Sequence, residues 1–276
     1  MLRLLSIEFF KLKHNKASKV LTIFYFGLLS SIALLSALKV EFGPFNFKLA
    51  EQGIFDFPYI WHFNTYFAAI LKFFLLLVIV SMVANEYSNK TLKQNLIDGL
   101  SKKEYILSKF YMTVVMSFIS TLFVFIVSLL LGLIYSEDKS VGLIFTDLQY
   151  FLGFFIKLIS FFSFGLFMGI WIKRSAFAIG ALFILYIIEG IIGLFLSFSL
   201  NKETTEFIKS IFPFNSSESL IPNPIPRLDF IKQASNQFGV IQEQNYSVPI
   251  FNVIISLLWS ALFIYGAYAL IKKRDL

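Results

Sequence analysis

Residues Tyr150–Ile172 read YFLGFFIKLISFFSFGLFMGIWI, the link Lys173-Arg174-Ser175 follows, and Ala176–Ser199 read AFAIGALFILYIIEGIIGLFLSFS. Each flank has about the 20 apolar residues that carry a helix across a bilayer. A three-residue link forces the two into antiparallel contact. Neither flank has a polar face to offer water, and a backbone inside lipid must satisfy its own hydrogen bonds, so both are membrane helices. Working outward from this pair, further apolar runs occur at Val20–Leu38, Tyr66–Ala84, Met112–Tyr135 and Pro249–Ile271, which makes six expected spans in one all-α membrane domain covering residues 1–276.

The composition agrees with a bilayer as solvent: 57% hydrophobic, 15% charged, and a mean hydropathy of +0.75. The absence of Cys excludes disulfides, thiolate metal sites and a Cys nucleophile. The net charge of +7 reports topology here, with no nucleic-acid partner implied, because its distribution is uneven. Fifteen Lys and Arg lie on the side of the termini, in residues 1–19, in the second and fourth connections, and in the tail Lys272-Lys273-Arg274. Seven lie in the longer connections on the other side, among eleven acidic residues. The positive-inside rule places both termini in the cytoplasm.

Residues Met1–Lys19 interleave charge with apolar residues, unlike a cleavable signal peptide. Leu2, Leu5, Phe9 and Leu12 share one helical face and Lys11, Asn15 and Lys19 another, which predicts a helix in the headgroups or a basic flank to the first span. In the connection 85–111, Leu92, Leu96 and Leu100 recur every four residues on a short helix that Gly99 helps to end. Ser101 and Glu104 form an S-x-x-E capping box that starts the next helix. The apolar stripe needs a cover, either the membrane surface or a partner protein. On the other side, Lys39–Thr65 is rich in aromatic residues (Phe42, Phe45, Phe47, Phe55, Phe57, Tyr59, Trp61), which suits the interface, and 200–248 holds a helix at Thr204–Phe212 before Pro213.

Charge inside a span costs about 2.5–3.5 kcal/mol on insertion scales and has a reason. Lys72 and Lys157 lie ~9–10 Å inside their spans and can snorkel. Glu189 lies ~15 Å inside and needs a partner or a watery cavity, so pairing with Lys72 or Lys157 is expected, as a structural clasp or as part of a polar path. Gly165 and Gly169 make a G-x-x-x-G for close packing, within the chain or between copies. His14 and His62 fall on opposite sides and read as interfacial polar residues. No phosphate loop, H-E-x-x-H or aspartate-rich cluster occurs, and no catalytic, cofactor-binding or metal-ligating residue emerges.

The basic amphipathic start (Ser6-Ile7-Glu8-Phe9-Phe10-Lys11-Leu12-Lys13), the six-span layout, Glu86-Tyr87-Ser88-Asn89-Lys90-Thr91-Leu92-Lys93 with Ser101–Lys109 after it, and the basic ending together resemble the permease subunits of ATP-binding-cassette type-2 exporters. The chain departs from that pattern at Lys90, where the family usually has Gly before Thr91, and at Gly99-Leu100, where a Pro usually precedes the Ser. The resemblance implies an ATPase-coupling element of Glu86, Thr91, Leu92, Lys93, Leu96 and Leu100, separate ATPase subunits that hold ATP and Mg, a second permease copy or a paralogue, and a bacterial plasma membrane. The cargo it implies is hydrophobic, amphipathic or lipid-linked. The chain itself would need no cofactor and would be no enzyme. The competing reading is an ion-coupled transporter or channel using Glu189 with Lys72 and Lys157, against which the lack of visible broken helices counts.

Overall fold

The computed structural model describes residues 2–36, 39–42, 45–48, 53–228, 231 and 245–274, with backbone alone for 2, 32–36, 39–42 and 45–48. The expected interfacial placement of Phe42, Phe45 and Phe47 therefore lies outside the described side chains. Among the described residues the regular structure is helical apart from one hairpin. In order it forms α1 (Leu2–His14), α2 (Lys16–Ser36), β1 (Lys39–Phe42), β2 (Phe45–Lys48), α3 (Tyr59–Ile70), α4 (Lys72–Ser88), α5 (Thr91–Ile97) and α6 (Lys102–Tyr135). There follow α7 (Val141–Phe145), α8 (Gln149–Ile172), α9 (Ser175–Ser199), α10 (Lys202–Ile211), α11 (Pro213–Glu218), a 3₁₀ turn Ile225–Arg227, and α12 (Ile250–Lys272). The strands pair antiparallel, Lys39 opposite Lys48 and Phe42 opposite Phe45.

Four stretches are long and apolar enough to cross a membrane, in α6, α7–α8, α9 and α12, and the bent pair α3–α4 makes up to five among the described residues. The second span was expected to run unbroken over Tyr66–Ala84. It is instead two helices at 44°. Leu71 and Phe74 close tight bonds to the carbonyls three residues back (3.1 Å each), so the helical ladder changes pitch at Leu71 without a Pro or Gly to announce it.

The bundle is built around α8, where eighteen of 24 residues are buried. It packs against α12, α4, α6, α9 and α3. The G-x-x-x-G faces α4 within the chain: a Cβ at Gly165 would overlap Leu76 Cδ1, and one at Gly169 would stand 3.5 Å from the Val80 carbonyl. By contrast α9 buries Ala178, Leu182 and Gly193 and turns Phe177, Ile184, Ile188, Ile191, Phe195 and Phe198 outward, as a lipid-facing helix would.

Local signals account for the ends of several elements. Asn15 Oδ1 accepts the Ser18 N–H (3.1 Å) and starts α2 directly after α1. The Ser101–Glu104 box forms with both reciprocal bonds present, and α6 then runs 34 residues, about 51 Å. That exceeds a ~30 Å hydrocarbon core, so the first turns of α6 stand clear of it. Beyond α9, Asn201 caps α10 (2.9 Å to Thr204 N), which folds back along α9 as Thr205 Oγ1 donates to the Leu196 carbonyl (3.1 Å). Then α11 plugs the bundle end against α8 and α12. This α10–α11 lid marks one end of the molecule, and α1 and α5 mark the other.

Candidate functional site

At the α5 end, four charged side chains close into a ring. The last full turn of α4 contributes Glu86, the exposed-to-buried face of α1 contributes Glu8 and Lys11, and the capped start of α6 contributes Lys109. Lys109 Nζ donates to Glu8 Oε2 and Glu86 Oε1 (2.5 Å each), and Lys11 Nζ donates to Glu86 Oε1 (2.8 Å) and Glu8 Oε1 (3.3 Å). Ser108 Oγ adds a bond to Glu8 Oε1 (3.3 Å), and the Lys109 ammonium lies 5.2 Å from the Tyr105 ring centre. Lys109 is fully buried and Glu8 and Glu86 nearly so. Two cations alternating with two anions make a neutral ring, which is how such charges tolerate burial. For Lys11, burial alone would lower the ammonium pKa, but Glu86 and Glu8 outweigh it and hold the pKa above its ordinary value.

The ring corrects the expected orientation of α1. Lys11 was placed on a face toward the headgroups. The structure turns Leu4, Glu8, Lys11 and Leu12 inward and leaves Ile7, Phe9 and Phe10 more open, because the ion partners on α4 and α6 outbid the amphipathic pattern.

From Glu86 the chain enters α5 through Lys90 at φ 57°, a left-handed conformation that glycine adopts more readily than a residue with a Cβ. Thr91 Oγ1 reaches back to the Glu86 carbonyl at 3.5 Å. At the far end Leu100 N–H bonds the Asn95 carbonyl (3.0 Å) and Gly99 N–H the Leu96 carbonyl (3.2 Å), a Schellman stop with Gly99 at φ +98°. The stripe of Leu92, Leu96 and Leu100 was expected to need the membrane or a partner as cover. It is covered by the chain itself: Leu92 is buried, and Leu96 and Leu100 pack on the same core. The face left outward consists of Lys93, Gln94, Ile97 and Asp98, with Ile97 74% exposed.

The tail locks the same end. Arg274 donates to the Ile170 (2.7 Å) and Trp171 (3.2 Å) carbonyls, which end α8, and to Tyr87 Oη (2.9 Å) on α4, while Lys102 Nζ reaches the Arg274 carbonyl (2.8 Å). In the sequence the tail Lys272-Lys273-Arg274 is marked only by its charge.

At the lid end, the expected pairing of Glu189 with Lys72 or Lys157 does not occur. Both lysines, nearly inaccessible, are bridged by Glu218 at the end of α11: Lys157 Nζ to Oε2 at 2.7 Å, and Lys72 Nζ to Oε1. Burial would raise the Glu218 carboxyl, but the charges and hydrogen bonds of Lys157 and Lys72 hold it at about 2, below the ordinary carboxylate range. Glu189 instead accepts the Phe214 (3.1 Å) and Asn215 (2.6 Å) N–H groups at the start of α11, where orphan helix donors and a positive dipole end favour an anion. Glu218 had no sequence signal beyond being one acidic residue in a polar loop.

His62, expected as an interfacial residue, is fully buried. It stacks on Tyr150 (4.1 Å, 3°), meets the Pro222 carbonyl through Nε2 (2.8 Å) and receives Arg227 at Nδ1 (3.1 Å), so it ties the segment after the lid to α3. His14 remains exposed on α1, bonded to the Phe10 carbonyl (2.8 Å).

Thus α4 carries a lysine at its lid end and a glutamate at its α5 end, 14 residues or about 21 Å apart, each locked into a separate ion cluster. One family model, described as ABC-2 family transporter protein, matches residues 4–190, from α1 into α9. No curated protein matches the chain.

Proposed function

The chain belongs to the ABC-2 family of transporter proteins, and from that membership we propose that it is the membrane-spanning subunit of an ATP-driven exporter whose ATP and magnesium sit on a separate ATPase subunit. The observation that carries this reading is the buried ring of Glu8, Lys11, Glu86 and Lys109. It bolts α1, α4 and α6 together at the root of α5 and leaves that short helix projecting Lys93, Gln94, Ile97 and Asp98 outward. A partner pressing on that face moves α4 as a rod, and α4 reaches the lid through Lys72 and Glu218.

Six crossings follow if α2, 21 residues long, joins α3–α4, α6, α8, α9 and α12. An even number agrees with the meeting of both ends of the chain at the α5 side, through Glu8 with Lys109 and Arg274 with Tyr87. The basic residues on that side make it the cytoplasmic one, in a bacterial plasma membrane. Cargo that is hydrophobic, amphipathic or lipid-linked moves outward, with a second copy or a paralogue completing the path. The ion-coupled alternative gains the break at Leu71 but loses its relay, since Glu218 closes both lysines and Glu189 holds α11.

Tagged chain extracted in detergent from its own host carries an ATPase subunit. Ile97→Asp and Lys93→Glu lose that subunit and keep the thermal stability of the wild type. Leu92→Ala, which empties a buried site at about 2–5 kcal/mol, lowers stability as well. Wild-type chain that brings down no ATPase would refute the reading.

A further inference from the structure

Two cavities meet at the lid. One, of about 250 Å³, lies between α9 and the α10–α11 lid and is walled by Tyr186, Gly190, Leu194, Phe212 and Phe214. The other, of about 670 Å³, is polar and lined by Ser210, Ser219, Asn245, Ser247 and Asn252, with Lys202 and Glu206 at its rim. They share Lys209 and Asn215, so an apolar groove runs into a polar basin with an ammonium at the junction.

Lys209 is held there by design of the backbone around it. A Cβ at position 193 would stand 2.9 Å from Lys209 Cε, so Gly193 lets the lysine stem lie flat on α9. Its Nζ then donates to Ser197 Oγ at 2.8 Å. No carboxylate among the described residues pairs with Lys209. Glu189 and Glu218 also border the groove, but Glu189 is engaged by two backbone N–H groups and Glu218 by two lysines. In the basin, Asn252 is 6% exposed and its amide has no hydrogen-bond partner among the described residues. That amide is open to the basin, where water or a ligand can bond it.

Depth distinguishes a lipid from a free anion. Gly193 and Ser197 lie six and two residues before the end of α9, which is ~9 and ~3 Å along its axis. The 25 residues of α9 span about 37 Å against a ~30 Å hydrocarbon core. The Lys209 ammonium therefore stands at the level where phosphate and glycerol give way to acyl chain.

We propose that groove and basin together bind one anionic lipid, its phosphate on Lys209 and the Asn252 amide and one acyl chain along Gly190 and Leu194. On the exporter reading, and resting on it for this step alone, a lipid-linked anion is the cargo class and this site is where it reaches the outer leaflet.

The test needs no ATPase, so its failure leaves the exporter reading standing and the reverse holds too. The chain has no native Cys, so Phe198→Cys, at a position 90% exposed on α9, takes a single fluorophore. The labelled full chain is placed in nanodiscs that mix plain lipid with brominated phosphatidylglycerol or brominated phosphatidylcholine, and quenching is read against mole fraction. Phosphatidylglycerol reaches half-quenching at about a threefold lower fraction, the size of one accessible ion pair. Lys209→Gln brings the ratio to one, and Lys209→Arg, which keeps charge and fold, retains it. Equal quenching by the two lipids in the wild type, or an unchanged ratio in Lys209→Gln, overturns the proposal. So does loss of the preference on adding millimolar glycerol 3-phosphate, which would make the site one for free phosphate.

Discussion

Replacing Lys109 by Met removes the most deeply buried member of the four-charge ring. Lys109 is fully buried and joins Glu8 and Glu86 at 2.5 Å each. Without it the ring passes from neutral to one net negative charge, with two buried carboxylates sharing the partly open Lys11. Breaking a buried ion pair from one side costs about 3–5 kcal/mol, and Lys11 can offset only part of that. The expected loss is therefore about 3 kcal/mol or more. Removing Glu8 as well, as Glu8→Gln with Lys109→Met, leaves the Lys11–Glu86 pair at 2.8 Å and restores neutrality. That double variant costs less than Lys109→Met alone, with a coupling energy of about 1–3 kcal/mol in the cycle. The assay is reversible unfolding in mixed micelles, followed by tryptophan fluorescence, for wild type, both single variants and the double. A Lys109→Met variant as stable as wild type, or effects of the two substitutions that simply add, would refute the argument that the ring acts as one neutral unit.

Four further outcomes follow from single positions. Lys90→Gly relieves a left-handed non-glycine residue at φ 57° and Gly99→Ala creates one at φ +98°, so the first raises and the second lowers stability by about 1 kcal/mol in the same unfolding assay. The Glu218 carboxyl is held at about 2 against an ordinary 4.5, so its stabilising contribution is full above 4.5 and fades as pH falls toward 2. The gap in melting temperature between wild type and Glu218→Gln accordingly narrows over that window, and a gap independent of pH would refute the lysine bridge. Gly165→Leu forces a side chain into Leu76 and costs about 1–3 kcal/mol, readable as a lower melting temperature with the helix content unchanged.

The break in the second span and the partners of its charges show where sequence reading stops. Nothing at Ile70-Leu71-Lys72 differs from ordinary helix, yet the bend there brings Lys72 to Glu218 across 146 positions of chain. Glu218 itself sits in Ser216-Ser217-Glu218-Ser219, a polar run with no periodicity to mark it. For α5 the leucine periodicity pointed to a helix and a buried face, and both exist. It carried no information on whether that face meets the rest of the chain or another molecule, because hydrophobic burial is non-directional.

The sequence by itself determined the long apolar helices α6, α8, α9 and α12, the Ser101–Glu104 cap and the stop at Gly99, since each depends on residues within about one helix length; the family was legible from the order of such pieces along the chain. Tertiary structure alone decided which lysine meets which glutamate, that Lys11 turns inward, and that Lys209 lies beside a glycine of α9 with no carboxylate partner among the described residues. Those outcomes depend on the relative placement of segments far apart in the chain, where a few ångströms separate a bonded charge from an open one, and local pattern does not encode that distance.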